Sequence, residues 1–108
     1  MPTVTLLGTG TSQGVPVIGC NCNVCTSNDP RDNRTRTAAM INSDRTNVII
    51  DIGPDFRQQM LREEVSDVDA VLLTHEHNDH VSGLDDIRPI NFLHRKDIPM
   101  YGMKRTLD

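Results

Sequence analysis

Apolar and polar residues follow a strand-like pattern along much of this chain. Residues 3–7 alternate threonine with apolar side chains, the period of a strand with one covered face. The runs at 47–51 and 69–74 are apolar through their middle, which is typical of strands covered on both faces. The pattern predicts strands over 3–7, 35–42, 46–51, 69–74 and 98–101, with a turn at 43–45 between the second and third.

Two segments carry helix signals instead. Pro54 suits the first turn of a helix that continues to about residue 63, with Phe56, Met60 and Leu61 on its apolar face. A second helix is predicted from Asp79 to about residue 88, where Pro89 should kink or stop it. Residues 104–108 resemble the first turn of another helix. Strands that alternate with helices indicate an α/β chain with a mixed or largely parallel sheet.

Length and composition restrict the class of protein. With 108 residues, 36% hydrophobic and only 3% aromatic, the chain is predicted to be one domain or part of one, with an incomplete core. Fifteen acidic residues against eleven basic ones give a net charge of −4, which argues against a broad basic surface that binds nucleic acid. No apolar run approaches membrane-spanning length, and the first residues lack a signal-peptide pattern. We therefore expect a cytoplasmic protein that makes no membrane contact.

The long segment from 15 to 33 shows no helical or strand period and contains Cys20, Cys22 and Cys25. Loops of this length are usually functional or held by something other than regular structure. Three cysteines within six residues form a poor disulfide framework, because one thiol always remains unpaired. In a reducing compartment a metal site is the better interpretation, and exposed thiols on a loop are the alternative.

The most informative segment is the run Thr-His-Glu-His-Asn-Asp-His at 74–80. On an extended chain His75 and His77 point to one side and Glu76 to the other, so the two imidazoles can bind one ion. Asp79 and His80 lie where the chain turns into the next helix and are placed to serve a second ion. A solvated polar loop is the alternative. Imidazole and carboxylate ligands suit zinc, manganese or iron alike.

This run resembles the His-x-His-x-Asp-His signature of the metallo-β-lactamase-fold hydrolases. The segments Gly-Thr-Gly-Thr-Ser-Gln-Gly-Val-Pro at 8–16 and Gly-Cys-Asn-Cys-Asn-Val-Cys at 19–25 are similar to the phosphoribosyl cyclic phosphodiesterases of phosphonate breakdown. The resemblance implies an α/β fold, the N-terminal part of an αββα sandwich. Residues 1–108 would then be a single incomplete domain, the N-terminal half.

The resemblance also implies roles for individual residues. His75 and His77 would bind one of two divalent ions (Zn or Mn), and Asp79, also the catalytic candidate, would bind the other with His80. Asp51 would be a carboxylate that orients a metal-binding imidazole, although a strand-end aspartate can equally cap the following turn. The three cysteines would hold a structural zinc whose fourth ligand is a histidine from much later in the chain.

The function implied is a metal-dependent phosphodiesterase that cleaves a small cyclic or nucleotide-like phosphate ester with metal-bound hydroxide. One alternative is a transfer-RNA 3′-processing endoribonuclease of the same fold, and another is a non-catalytic metal-binding fragment. Members of this family supply further ligands after the first half, and the chain has none of these. We therefore expect it to be inactive alone, and to form a homo-oligomer or to need a C-terminal half.

Other polar residues carry weaker signals. His94 is a candidate ligand for the cysteine site, although a surface position at a helix end explains it better. Arg31, Arg34 and Arg36 form a basic group near the cysteines, which indicates either a phosphate contact or a solvated surface paired with aspartates 29 and 32. Asp85 and Asp86 are predicted to be exposed helix residues.

Overall fold

The computed structural model describes residues 2–75 and 77–107, and within these it leaves the side chains of residues 78, 79, 105 and 106 undescribed. The strands are β1 Thr3–Gly8, β2 Ala38–Ser43, β3 Thr46–Ile50, β4 Ala70–Leu72 and β5 Met100–Tyr101. The α-helices are α1 Phe56–Arg62, α2 Asn78–Val81, α3 Arg88–His94 and α4 Lys104–Leu107, with 3₁₀ turns at Pro30–Asp32 and Leu84–Ile87.

The five strands form one mixed sheet in the order β1-β2-β3-β4-β5. The first three strands pair antiparallel, and β3, β4 and β5 pair parallel, which confirms the predicted α/β class. The turn predicted at 43–45 is present as a tight hairpin, with φ of 49° at Asp44 and 69° at Arg45. Two successive positive φ angles match the right-handed twist of the flanking strands.

One face of the sheet carries the core. Leu7, Ile49 and Val71 point from three strands toward α1 and are at most 1% exposed, as is Phe56 on that helix. Burying apolar side chains of this size stabilises the fold by about 1.5–3 kcal/mol each. Ile87 at the end of the second 3₁₀ turn and Ile90 of α3 belong to the same cluster. Among the described residues, no helix has the length and apolarity needed to cross a bilayer.

The opposite face of the sheet is apolar and largely open to solvent. Val4 and Leu6 on β1 are 63% and 66% exposed, and Tyr101 on β5 is 55% exposed. Val48 and Ile50 point to the same side and are only half-buried. The prediction that β3 and β4 are covered on both faces is therefore wrong for Val48, Ile50 and Leu72, the last of which is 37% exposed, because the helices pack on one side only.

The predicted apolar face of α1 is correct for Phe56 and Met60 but wrong for Leu61, which is 62% exposed. Five residues after Phe56, Leu61 lies about 140° around the helix from it, and it lines an apolar groove of about 380 Å³ together with Leu93 of α3. Gln59, rather than Leu61, is buried. Its Nε2 donates to Thr35 Oγ1 and to the Arg36 carbonyl oxygen.

The single helix predicted from 79 to about 88 is also wrong. The chain forms α2, breaks at Ser82 and Gly83, makes the 3₁₀ turn and only then begins α3. Pro89 lies in the first turn of α3, where its missing N–H costs nothing. The strand predicted from residue 35 begins at Ala38 instead, because the Arg36 amide donates to the Asp55 carboxylate rather than to a strand.

Asp69 should make the stability of the fold depend on pH. Its carboxylate accepts the Asn47 N–H at 2.8 Å and lies 3.2 Å from Lys96 Nζ. The Asn47 amide, helped by Lys96, lowers the pKa of Asp69 below its ordinary value of 3.8. A carboxyl group with a lowered folded-state pKa contributes stability above its unfolded pKa and loses it as the pH falls further.

We expect Asp69→Ala to destabilise the chain by about 1–2 kcal/mol at pH 7, since it removes a charged hydrogen-bond acceptor. The difference from the wild type should shrink as the pH falls below 3.8. Urea denaturation at pH 7, 5 and 3 measures this. Asp97→Ala, at an exposed position, is the control, and equal losses for Asp69→Ala at all three pH values would contradict the prediction.

Candidate metal centre

The predicted ligands are gathered at one edge of the sheet. Strands β1, β3 and β4 run in the same direction, since β1 and β3 are each antiparallel to β2 and β4 is parallel to β3. Their carboxyl ends therefore meet at a single edge, the usual location of ligand sites in α/β sheets. Asp51 directly follows β3, and the 74–80 run begins two residues after β4.

Asp51 is the most connected polar residue at this edge. It is only 4% exposed, and its carboxylate accepts the Thr74 N–H at 2.8 Å and the Thr74 hydroxyl at 2.7 Å. Asp51 Oδ2 also lies 2.6 Å from His80 Nδ1. With φ at 66°, Asp51 turns sharply out of the strand, a backbone conformation that costs about 1–3 kcal/mol for a non-glycine residue. Asp51 therefore orients the His80 ring.

The histidine rings of the run lie together. The ring centroids of His75 and His77 are 4.4 Å apart, and those of His75 and His80 are 4.0 Å apart. His75 Nδ1 lies 2.9 Å from the Thr74 hydroxyl. Glu76 and the side chain of Asp79 lie outside the described residues, so the assignment of ligands to two separate ions stays a prediction.

Close backbone contact places α2 against the loop that follows Asp51. The Ile52 N–H donates to the His80 carbonyl at 2.7 Å, and the Gly83 N–H donates to the Ile52 carbonyl at 3.0 Å. A Cβ atom at Gly83 would come within 2.0 Å of the Gly53 carbonyl oxygen. Sequence reasoning missed both Gly83 and Thr74 as site residues, since a lone glycine or threonine carries no spacing signal.

The three cysteines form a second candidate metal site. Their Sγ atoms all lie within 4.8 Å of one another, the only such set of three or more potential ligands that the described residues contain. Tetrahedral zinc with Zn–S bonds of about 2.3 Å places its sulfurs about 3.8 Å apart, so small shifts suffice to bind the ion. The three sulfurs can therefore serve as three of the four ligands of a structural zinc.

Backbone amides do not favour every thiolate at this site. At Cys25 the effect of the Val17 amide is outweighed by the neighbouring thiols, which raise the pKa of Cys25 above its ordinary value. The Cys25 N–H donates to Cys22 Sγ and the Val17 N–H donates to Cys25 Sγ, both at 3.4 Å. The Cys25 amide, assisted by the neighbouring thiols, lowers the pKa of Cys22 to about 7. Because thiolate is the form that binds metals, Cys22 is available to bind an ion near neutral pH.

We expect the 108-residue chain to take up one zinc ion at the cysteine loop and Cys22→Ser to weaken that binding at least tenfold, because it removes one of three sulfur ligands. Competition with a chromophoric zinc chelator gives the affinity. Ser27→Ala, in the same loop, is the matched control. Equal zinc affinity in Cys22→Ser and the wild type would show that the thiols do not bind the ion.

The structure places the weaker candidates outside both sites. His94 Nε2 lies 2.9 Å from the Ser66 carbonyl oxygen, so the ring interacts with the segment between α1 and β4. Arg31 pairs with Asp29 at 2.6 Å, as the solvated-surface interpretation predicts, and Arg36 pairs with Asp55 at 3.0 Å. Arg34 donates to the Thr9 hydroxyl at 2.7 Å. Asp85 and Asp86 are exposed, as predicted.

A mixed sheet with helices on one face, a histidine-rich strand end and a buried carboxylate in contact with an imidazole together describe an α/β domain with a candidate metal site at one edge of its sheet. Residues 46–108, more than half of the chain, match the model of the beta-lactamase superfamily domain. The chain belongs to this family of metallo-β-lactamase-fold hydrolases, which confirms the resemblance noted in the sequence.

Several relatives are similar over most of the chain. It is 46% identical to a crystallised diphosphatase of the PhnP family, with a TM-score of 0.93 over 99% of this chain and 44% of that one. It is 53% identical to a segment of an octanoyltransferase from Porphyromonas gingivalis, over 95% of this chain and 21% of that protein. A ribonuclease Z from Methanopyrus kandleri is 34% identical over 68% of this chain and 27% of its own length. The chain thus spans less than half the length of these relatives.

Proposed function

We propose that the protein carrying this chain is a metal-dependent phosphohydrolase that cleaves a small phosphate diester or diphosphate, such as a cyclic or nucleotide-like phosphate ester. The observation that carries the proposal is the similarity to a diphosphatase, at 46% identity and a TM-score of 0.93 over nearly the whole chain. The arrangement of Asp51, Thr74 and the three histidine rings at the sheet edge supports it.

In this proposal His75 and His77 hold one divalent metal ion, and Asp79 and His80 hold a second. Such ions lower the pKa of coordinated water and neutralise charge on a phosphoryl oxygen. The chain's own contribution is geometric: Asp51 holds the His80 ring from its Nδ1 side. A zinc ion on the three cysteines would hold the middle of the long 15–33 loop, whose two ends the Val15–Arg34 bridge joins.

The apolar open face of the sheet supports a further part of the proposal. We propose that polypeptide outside these 108 residues covers Val4, Leu6 and Tyr101 and supplies the remaining metal ligands, since the chain spans 44% of the diphosphatase. Left uncovered, a face of this kind is an association surface.

We expect the 108-residue chain to self-associate and Leu6→Lys to reduce that association at least tenfold, because a charge on the open face opposes burial. Sedimentation velocity over a range of concentrations measures this. Thr3→Lys, on the same strand and also exposed, is the control. A monomeric wild-type chain at high concentration would contradict the prediction.

The test of the proposed function compares substrates on the full-length protein. We expect metal-dependent hydrolysis of a five-membered cyclic phosphate or a nucleotide diphosphate, and loss of at least 10³-fold in rate for Asp79→Ala. Asp85→Ala, an exposed carboxylate outside the site, should retain full rate. Hydrolysis that persists unchanged in Asp79→Ala would overturn the mechanism.

Two further substrates distinguish the proposal from its alternatives. Precursor transfer RNA tests a ribonuclease function, which the 34% identity to ribonuclease Z favours and the net charge of −4 disfavours. An octanoyl thioester tests acyl chemistry, because the chain is 53% identical to a segment of an octanoyltransferase. Faster turnover of either compound than of every small phosphate substrate would overturn the proposed substrate class. Metal loading with no turnover of any substrate would favour a non-catalytic metal-binding domain.

A further inference from the structure

The side chain of Thr74 lies between the buried carboxylate of Asp51 and the ring of His75. Its hydroxyl is 2.7 Å from Asp51 Oδ2 and 2.9 Å from His75 Nδ1. The Thr74 backbone N–H donates to the other carboxylate oxygen, Asp51 Oδ1, at 2.8 Å. Thr74 is thus held by Asp51 at two points, which fixes the direction of its hydroxyl.

The directions of these hydrogen bonds follow from the number of protons. A carboxylate only accepts, and a hydroxyl has one proton to donate. The Thr74 proton therefore goes to Asp51 Oδ2, and Thr74 Oγ1 can only accept from His75. His75 Nδ1 must then carry a proton, which leaves the lone pair of the neutral ring on Nε2.

His80 has the same tautomer because its Nδ1 contacts the carboxylate directly. Its Nδ1 lies 2.6 Å from Asp51 Oδ2, the oxygen that also accepts the Thr74 hydroxyl. A neutral imidazole that donates from Nδ1 binds a metal through Nε2. One carboxylate, 4% exposed, therefore contacts both rings, His80 directly and His75 through one hydroxyl.

We propose that Thr74 is a positioning residue that transmits the orientation set by Asp51 to His75. The relay fixes His75 as the Nδ1–H tautomer, which leaves the lone pair of the neutral ring on Nε2. The use of that nitrogen as a metal ligand rests on the proposed function, whereas the tautomer itself does not. The relay links the two predicted metal positions through one buried group, since His75 is assigned to the first ion and His80 to the second.

The test uses Thr74→Val, which keeps the shape and removes the hydroxyl, and Thr74→Ser, which keeps the hydroxyl. Long-range ¹H–¹⁵N NMR spectra of the metal-free 108-residue chain report the tautomer of each ring at a pH at which both rings are neutral. We expect His75 to be Nδ1–H in the wild type and in Thr74→Ser, and to become largely Nε2–H in Thr74→Val. His80 should remain Nδ1–H in all three and serves as an internal control for folding at this edge.

A second readout is the affinity of the full-length protein for zinc or manganese, measured by calorimetry. Losing a partner that orients a metal ligand typically weakens metal binding 10–100-fold, so we expect about a tenfold loss in Thr74→Val and less than a twofold loss in Thr74→Ser. An unchanged His75 tautomer in Thr74→Val would overturn the relay. A changed tautomer with unchanged metal affinity would overturn the positioning role. If the wild type binds no metal at all, the proposed function fails, and the spectra still decide the relay.

Discussion

Replacing Asp51 with asparagine should weaken metal binding by the full-length protein 10–100-fold and lower its hydrolytic rate by at least as much. The carboxylate accepts three hydrogen bonds, from the amide and hydroxyl of Thr74 and from His80 Nδ1. An asparagine oxygen can keep the bond to the Thr74 amide, but its NH₂ group then faces His80 Nδ1. Two donors cannot pair, so the neutral His80 ring must move its proton to Nε2, the nitrogen that a metal needs.

The same substitution should destabilise the metal-free chain by about 1–3 kcal/mol, because the buried carboxylate's charged hydrogen bonds with Thr74 and His80 are replaced by weaker neutral ones. Calorimetric metal titration and urea denaturation measure the two effects separately. Asp85→Asn makes the same chemical change on an exposed residue and should alter neither. Wild-type metal affinity in a folded Asp51→Asn protein would contradict the role given to this carboxylate.

Adding a single methyl group at Gly83 should destabilise the chain by about 3 kcal/mol, the upper end of the usual cost of overpacking. A Cβ atom there would lie 2.0 Å from the Gly53 carbonyl oxygen and 3.0 Å from the Phe56 Cβ atom. The first of these atoms belongs to the backbone and cannot rotate away. With φ at −87°, Gly83 has a conformation that any residue adopts, so the effect is a steric one.

The expected damage extends from Gly83 to the metal centre. The Gly83 N–H donates to the Ile52 carbonyl, and the Ile52 N–H donates to His80, so pushing the two segments apart lengthens the Asp51–His80 contact. Urea denaturation of Gly83→Ala and a metal titration of the same variant measure both consequences. The neighbouring Ser82→Ala, at an exposed position, should change stability by less than about 0.5 kcal/mol. Equal stability of Gly83→Ala and the wild type would refute the close approach.

Local signals predicted most of the secondary structure because neighbouring residues determine it. Alternation over 3–7 and the apolar run after residue 46 became β1 and β3, and the polar segment at 43–45 became a hairpin turn. Such elements depend on side-chain period and turn chemistry, both of which are readable along the chain. Their bounds moved by one to three residues where tertiary contacts competed, as at Arg36, whose amide pairs with Asp55.

Packing decided the features that periodicity missed. Between residues 79 and 88, Gly83 is the one local signal of a helix break. Glycine is needed there because the Gly53 carbonyl, 30 residues earlier in the chain, leaves no room for a Cβ atom. Leu61 looks like a core residue by hydropathy, yet Gln59 is buried instead because its amide reaches Thr35 and the Arg36 carbonyl. Both outcomes depend on which elements meet in space, and that is not encoded in the local pattern.

By itself, the sequence determined the class of fold and which potential metal ligands lie close together at each candidate site. The 74–80 run and the cysteine trio each lie within seven residues, so backbone geometry alone keeps their side chains close, and the cysteine sulfurs do lie together. Only the tertiary structure decided how the ligands are oriented. Asp51 meets Thr74 and His80 across 23 and 29 residues of chain because β3 and β4 pair in parallel and end at the same edge. A hydrogen bond over that distance follows from the register of the sheet, which no local pattern of residues specifies.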